Sequence, residues 1–397
     1  MAKRKVNVCL IGQKFMGRAH SNAFLKAPKF FKLPVELVMH TVAAQDRTAL
    51  EEFAAKWGWK NISTNWRETL QNPEIDLVDI TAQNHMHREM AIAALEAGKH
   101  IACEKPLAGN LDDARLMRDA ARKYKKSKTS VWWSYRRTPA VALAYQLARA
   151  GKIGRIYHVR GYYLQDWAGP DVPLIWRFDK KVAGSGSHGD LGAHVIDMAR
   201  FIAGEEITEI NGAITETFVK ERLIPSVGSA GGIAGGAKSG KGKKGKVEVD
   251  DATLFLCRFS GGAVGSFEAT RFSTGYQNKN GVEIHGEKGA VSFNFEDMNH
   301  LSYFDNTADA KVKGWTKIMV THAPDHPYAH AWWPDAHIIG YEHTFINQAA
   351  DLMMMLGGEK PTIPLGDFED AYQTQRVLEA VVVSAKERRP VKLSEIQ

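Results

Sequence analysis

Short apolar runs alternate with amphipathic segments along the first third of the chain, and the alternation predicts strands and helices in succession. Val6 to Ile11 predicts a strand ending at Gly12, and helical character follows over Gly17 to Lys26. Val35 to Ala43 predicts a second strand and Ala49 to Trp57 a helix. Leu77 to Ile80 and His100 to Cys103 predict a third and a fourth strand, with a helix from His87 to Ala97 between them. This is the rhythm of βαβ units and of a doubly wound parallel sheet. Beyond Val131 to Ser134 the rhythm changes. A helix over Ala140 to Ala150 precedes strand candidates at Ile156 to Gln165, Ile207 to Val219, Ala252 to Phe259, Ala263 to Ala269, Val282 to His285 and Ala290 to Phe295. Ser260-Gly261-Gly262 and Glu287-Lys288-Gly289 read as hairpin turns, which predicts an antiparallel meander. Helices at Tyr341 to Leu356 and Phe368 to Arg388 close the chain. The pattern therefore predicts an α/β protein with a dinucleotide-binding domain over 1–130 and a second α/β domain over 131–397.

The stretch Gly184 to Arg200, GSGSHGDLGAHVIDMAR, places a carboxylate and an imidazole at helical spacing behind a glycine run that reads as flexible. With Asp190 in the first helical turn, His194 follows at i+4 and Asp197 at i+7, while Leu191, Val195, Met198 and Ile202 form the apolar stripe. The positive end of the helix dipole favours an ionised Asp190 and a neutral His194, a candidate base. The competing reading is a capping Asp and a hydrogen-bonded core His.

At 397 residues, 44% hydrophobic and 24% charged, the chain has enough apolar surface for two folded domains. The formal charge of +7 points to nucleic acid only until its source is seen. Lys238, Lys241, Lys243, Lys244 and Lys246 lie in one glycine-rich run over 226–246 without an acid, which reads as a solvated surface loop. The balance elsewhere argues against nucleic acid as a partner. Cys9, Cys103 and Cys257 sit in apolar settings without CxxC spacing, as buried free thiols of a reducing compartment would. No secretory signal and no apolar run of about 18 residues is visible, so the expectation is a cytoplasmic protein without a membrane partner. His322, His326 and His330 recur every four positions like a metal face, but Pro324 and Pro327 break the helix this would need, and no metal is expected.

The turn from Gly12 to Gly17 keeps the first and last glycines of GxGxxG and puts Lys14 at the middle one, where its ammonium either points away or lies on a phosphate. Asp46 is the candidate to grip an adenosine ribose after the second strand, and the neighbouring Arg47 keeps NADP open beside NAD. Lys105 stands just past the end of a strand, where open α/β sheets hold ligands. Trp132, Trp133, Trp167, Trp176, Trp332 and Trp333 lie in polar company, and a minority of them would serve a polyol pocket while the rest pack the core.

Gly12 to Gly17, Glu104-Lys105-Pro106 and Gly189-Asp190-Leu191-Gly192-Ala193-His194 together resemble the Gfo/Idh/MocA family of oxidoreductases over essentially the whole chain. The resemblance implies an N-terminal Rossmann domain and a C-terminal α/β domain with a large, mostly antiparallel open sheet. It also implies a homodimer or homotetramer made through that sheet. Lys105, often with a cis bond into Pro106, would be catalytic together with Asp190 and His194. NAD, or NADP, would lie against Gly12, Lys14, Phe15, Met16, Gly17, Asp46, Arg47, Thr81, Asn84, His87, Glu104, Lys105, Trp176 and Arg177. A sugar or glycoside would meet Lys105, Tyr135, Gln165, Trp167, Asp190, His194 and Trp333. The runs Tyr135 to Ala140 and Tyr163 to Trp167 and the pair Trp176-Arg177 are similar to members that oxidise carbon 3 of glucosides. In such chemistry His194 takes the hydroxyl proton and Lys105 stabilises the alkoxide, although the two could exchange roles. Two alternatives stay open: a glycosidase that oxidises carbon 3 only transiently, and a non-catalytic cofactor-binding regulator.

Overall fold

The computed structural model describes residues 3–225 and 242–397. In chain order the first elements are β1 (Lys5–Ile11), α1 (Phe15–Phe30), β2 (Glu36–Ala43), α2 (Arg47–Trp57), β3 (Asn61–Ser63), α3 (Trp66–Leu70), β4 (Leu77–Ile80), α4 (His87–Glu96), β5 (His100–Cys103), α5 (Leu111–Lys123) and β6 (Thr129–Val131). There follow α6 (Pro139–Arg149), β7 (Ile156–Leu164), α7 (Lys180–Ala183), α8 (Ala193–Ala203), β8 (Ile207–Glu216), β9 (Glu221–Leu223) and β10 (Lys244–Lys246). The remaining strands are β11 (Ala252–Phe259), β12 (Val264–Thr270), β13 (Lys279–Gly286), β14 (Gly289–Asn294), β15 (His300–Asp305) and β16 (Trp315–Met319). The chain closes with α9 (Tyr341–Leu356), α10 (Phe368–Glu387) and β17 (Val391–Lys392).

Two compact units result. The first holds Met1–Ala108, Asp112–Thr138 and Ala323–Tyr372, and the second Gly109–Leu111, Pro139–His322 and Gln373–Gln397. A single cut at residue 130 thus misses the return of the chain to the first unit. The cause is apolar: Phe345, Ile346, Ala349 and Met353 of α9 share one core with Ala23, Phe24 and Ala27 of α1.

In the first unit six strands lie in the order β3-β2-β1-β4-β5-β6, and every neighbouring pair is parallel. The order reverses between β1 and β4, so their carboxyl ends flank the crevice where such sheets bind ligands. All four residues of β4 are buried, and Asp79 is its one charged residue. Helix α5 was absent from the pattern reading; a parallel pair such as β5 and β6 needs a crossover, and α5 supplies it.

Among the described residues the second unit carries a nine-stranded sheet in the order β16-β15-β14-β13-β7-β12-β11-β8-β17, besides the separate β9-β10 pair. The expected meander is interrupted, because β7 inserts between β12 and β13 and pairs parallel with β12 and antiparallel with β13. Strand β11 alternates strictly over its second half, burying Phe255, Cys257 and Phe259 on one side. Leu254 and Leu256 on the other side stay exposed, as does Ile214 of β8. The expected Gly/Lys loop over 226–246 falls largely on 226–241, outside the described residues, but Lys244–Lys246 form β10, paired antiparallel with β9. Among the described residues no helix is long and apolar enough to cross a membrane. Cys9, Cys103 and Cys257 are buried free thiols, and burial pushes Cys9 and Cys257 up to about 12.

Candidate active site

In the first unit the crevice is closed by very short approaches. Gly12 has φ +121°, and a Cβ there would lie 2.4 Å from Thr81 Oγ1. Thr81, directly after β4, donates from both its backbone N–H and its hydroxyl to Ile11 O, each at 2.9 Å. Thr81 thus joins β4 to the glycine turn. Lys14 is exposed at the N-cap of α1 and supplies no side-chain cap to the first-turn N–H groups, beside exposed Phe15 and half-buried Met16. Gln13 Oε1 is buried in the same turn without a hydrogen-bond partner. Asp46 caps α2, accepting from Ala49 N at 3.1 Å, and Arg47 pairs with Glu51 at 3.0 Å on the surface. Asn84 opens a 3-10 turn after β4.

Lys105 follows β5, half-buried, and its bond to Pro106 is cis. Two residues expected at the cofactor prove to be internal supports. His87 is fully buried, with Nε2 3.1 Å from Ala82 O and Nδ1 3.1 Å from Pro106 O, so it ties the loop after β4 to the loop carrying Lys105. Burial lowers its pKa and favours the neutral ring, in which one of the two nitrogens carries the proton. Glu104 turns inward, its Oε1 2.9 Å from His20 Nε2 and its Oε2 accepting from Lys105 N at 3.0 Å. Tyr135 is buried, with its ring 6.4 Å from that of Tyr341. Trp333, expected at the sugar, packs edge-on to Phe30 at the far end of α1. A 16-residue helix separates that end from the glycine turn by about 24 Å, so Trp333 does not join this crevice. Trp132, Trp133 and Trp332 are core or near-core rings.

In the second unit Asp190 lies in a π-helical turn, His188–Gly192, rather than in the first α-turn, and α8 begins only at Ala193. Such widened turns recur at functional sites because they re-aim side chains. The glycine run before it is tightly packed: a Cβ on Gly186 would lie 1.7 Å from Asp250 O. Asp250 caps the turn, accepting from Gly186 N, Ser187 Oγ and His188 N at 2.6–2.7 Å. Asp190 Oδ2 accepts from Arg177 Nη1 at 3.1 Å and from Arg271 Nη2 at 2.9 Å. Arg177 also stacks on Trp176, with 4.5 Å from guanidinium carbon to ring centre. His194, nearly buried on α8, lies 5.9 Å ring to ring from Tyr163. Tyr163 Oη and Gln165 Nε2 both donate to Asn278 Oδ1, and Trp167 Nε1 donates to Gln165 Oε1 at 2.7 Å. An aromatic and amide chain therefore runs past His194.

Sequence reasoning missed Arg271 and Asn278. Arg271 follows the end of β12 and Asn278 precedes the start of β13, places where a polar residue carries no signal of its own; only the fold brings them to Asp190 and Gln165. Chemically the second unit offers an imidazole, a carboxylate held by two guanidiniums and hydrogen-bonding amides, and the first offers a dinucleotide crevice ending in a lysine. Each is a group that a nicotinamide-dependent oxidoreductase needs.

The comparisons with known proteins agree. The oxidoreductase family with an NAD-binding Rossmann fold matches residues 6–131, and the GFO/IDH/MocA C-terminal domain matches residues 141–292. Levoglucosan dehydrogenase of Pseudarthrobacter phenanthrenivorans is 41% identical over 396 residues, 99% of each chain. An oxidoreductase domain protein from Kribbella flavida superposes with a TM-score of 0.91 at 44% identity, covering 98% of this chain and 99% of that one. Levoglucosan dehydrogenase in complex with NADH and levoglucosan superposes with a TM-score of 0.89 at 40% identity, with the same coverage. The chain belongs to the Gfo/Idh/MocA oxidoreductase family. Its own residues fit NAD: the uncapped N-terminus of α1 suits a pyrophosphate, and the unpartnered Gln13 Oε1 could accept from a hydroxyl of the dinucleotide.

Proposed function

We propose that this enzyme oxidises a secondary hydroxyl, that of carbon 3, on a pyranose sugar or glycoside. NAD, when bound, supplies the acceptor for hydride. His194 takes the hydroxyl proton on a ring nitrogen, and Lys105 donates a hydrogen bond to the oxygen as alkoxide charge develops. Asp190, fixed by Arg177 and Arg271, holds a neighbouring hydroxyl. Tyr135, Gln165 and Trp167 contribute polar and aromatic surface suited to a sugar. Thr81, Asn84, Phe15, Met16 and Lys14 line the cofactor side, with Asp46 on the ribose. The observation that carries this reading is the carboxylate of Asp190 pinned by two guanidiniums one helical turn before His194. The NADH and levoglucosan complex of a relative 40% identical supports the cofactor and the substrate class. The choice of carbon 3 rests on Tyr135 to Ala140, Tyr163 to Trp167 and Trp176-Arg177, which resemble family members acting on that carbon. Exposed Ile214, Leu254 and Leu256 support a homo-oligomer through the open sheet, and three buried free thiols support a reducing, cytoplasmic setting.

The test is reduction of NAD in the presence of a panel of pyranosides, levoglucosan among them. Reduced nicotinamide should accumulate with at least one, and its absence with all would overturn the proposal.

A further inference from the structure

Beneath Lys105 the first unit buries three ionisable side chains that the proposed chemistry does not use. His20 on α1 and Asp79 on β4 are fully inaccessible, and Glu104 after β5 nearly so. Burying such a cluster is costly unless every polar atom is matched. Here the matching is complete along a chain. Trp132 Nε1 donates to Asp79 Oδ1 at 2.7 Å, and His20 Nδ1 donates to Asp79 Oδ2 at 2.8 Å. His20 Nε2 donates to Glu104 Oε1 at 2.9 Å, and Lys105 N–H donates to Glu104 Oε2 at 3.0 Å. The His20 ring also lies on Trp132, centroids 4.0 Å apart. Carboxylate oxygens face both ring nitrogens, and their charge favours an imidazolium at His20.

One arm of this chain runs from His20 on α1, the helix that begins at the glycine turn, through Glu104 to the backbone N–H of Lys105. We propose that His20 and Glu104 are positioning residues that fix Lys105 relative to the amino end of α1, and so relative to the cofactor. His20 is sealed from solvent and Glu104 nearly so, and in this reading they act through Lys105. His20 reads from the sequence as an ordinary helix residue, while Glu104 is expected at the cofactor from the resemblance.

This inference rests on the proposed role of Lys105, and a double-mutant cycle separates the two. Glu104→Ala should lower kcat about tenfold or more while the NAD dissociation constant, read by nicotinamide binding, changes by less than about threefold. Glu104→Gln, which still accepts from Lys105 N–H, should recover most of that loss. Glu104→Ala added to Lys105→Met should cost nothing beyond Lys105→Met itself, because a residue acting through the lysine has nothing left to position. Additive losses, or a Glu104→Ala variant with unchanged kcat, would overturn the inference while leaving the role of Lys105 standing. Undiminished turnover in Lys105→Met would remove both. Should Glu104→Ala fail to fold by circular dichroism, His20→Gln takes its place in the same cycle, with the same expectations and the same overturning results.

Discussion

Arg271, 1% exposed, donates from Nη2 to Asp190 Oδ2 at 2.9 Å, while its Nε and Nη1 are buried without a hydrogen-bond partner. The arginine is thus committed to one carboxylate and still has donors to offer. Arg271→Met should leave Asp190 with Arg177 as its remaining guanidinium contact and reduce kcat/KM for the sugar at least tenfold, with NAD affinity retained. Stability should fall by about 1–3 kcal/mol, since a buried pair loses a partner while Arg177 remains. Steady-state kinetics and urea unfolding check both. Unchanged kinetics would make the pair purely structural.

His194→Ala and Lys105→Met should each lower turnover by about a hundredfold or more, the usual effect of removing a general base or an alkoxide donor. Both should remain folded and bind NAD. Near wild-type turnover in His194→Ala would return that histidine to the core.

Gly12→Ala should be destabilising and impair NAD binding. Its φ of +121° disfavours an L side chain, and the added Cβ would meet Thr81 Oγ1 at 2.4 Å. A cost of about 1–3 kcal/mol is expected from the strain. Thermal unfolding with and without NAD measures it, and an unshifted transition would contradict the close approach.

Stability should depend on pH through His20. Burial opposes its charge, but the attraction and hydrogen bonds of Asp79 and Glu104 carry its pKa from the ordinary 6.5 up to about 9. Burial pushes the Asp79 carboxyl up as well, while His20 pulls it back. Because folding raises the pKa of His20, its stabilising contribution is complete below pH 6.5 and is lost as pH rises through about 9. Urea midpoints should therefore fall across that window more steeply in the native protein than in His20→Gln. Parallel curves would contradict an imidazolium at this position.

Much of this architecture was legible in the chain, for reasons that differ by region. The strands around Gly12, Thr81 and Lys105 are bounded by glycine and polar residues, so local pattern suffices to place the crevice. The parallel insertion of β7 beside β12 was not legible, because hairpin signals report neighbours in sequence and say nothing of a strand that enters from a distance. Asp190 and His194 were visible as a spaced pair, but the π-turn that re-aims Asp190 depends on Asp250, sixty residues on. Glu104 and His87 were assigned to the cofactor from the resemblance; burial and hydrogen bonding turn them inward, and hydropathy patterns carry no such information. Trp333 was grouped with the other tryptophans by polar company, while its packing against Phe30 depends on the return of the chain to the first unit.

Coenzyme choice should favour NAD. Asp46, proposed at the ribose, caps α2 as a carboxylate that would repel a phosphate, and Arg47 is engaged by Glu51 in an exposed, weak pair. The ratio of kcat/KM for NAD over NADP should exceed about ten, and Asp46→Ser should reduce it. A native preference for NADP would contradict the placement of Asp46.

The most direct test follows the hydride. The enzyme is incubated with a pyranoside that bears a chromogenic leaving group and with NAD in excess, and reduced nicotinamide, keto sugar and released aglycone are measured together. A net dehydrogenase produces reduced nicotinamide and keto sugar in equal amounts and stops when oxidised cofactor is exhausted, and this is the result predicted here. Release of aglycone far in excess of reduced nicotinamide would show the hydride returning to the sugar, and would contradict the account.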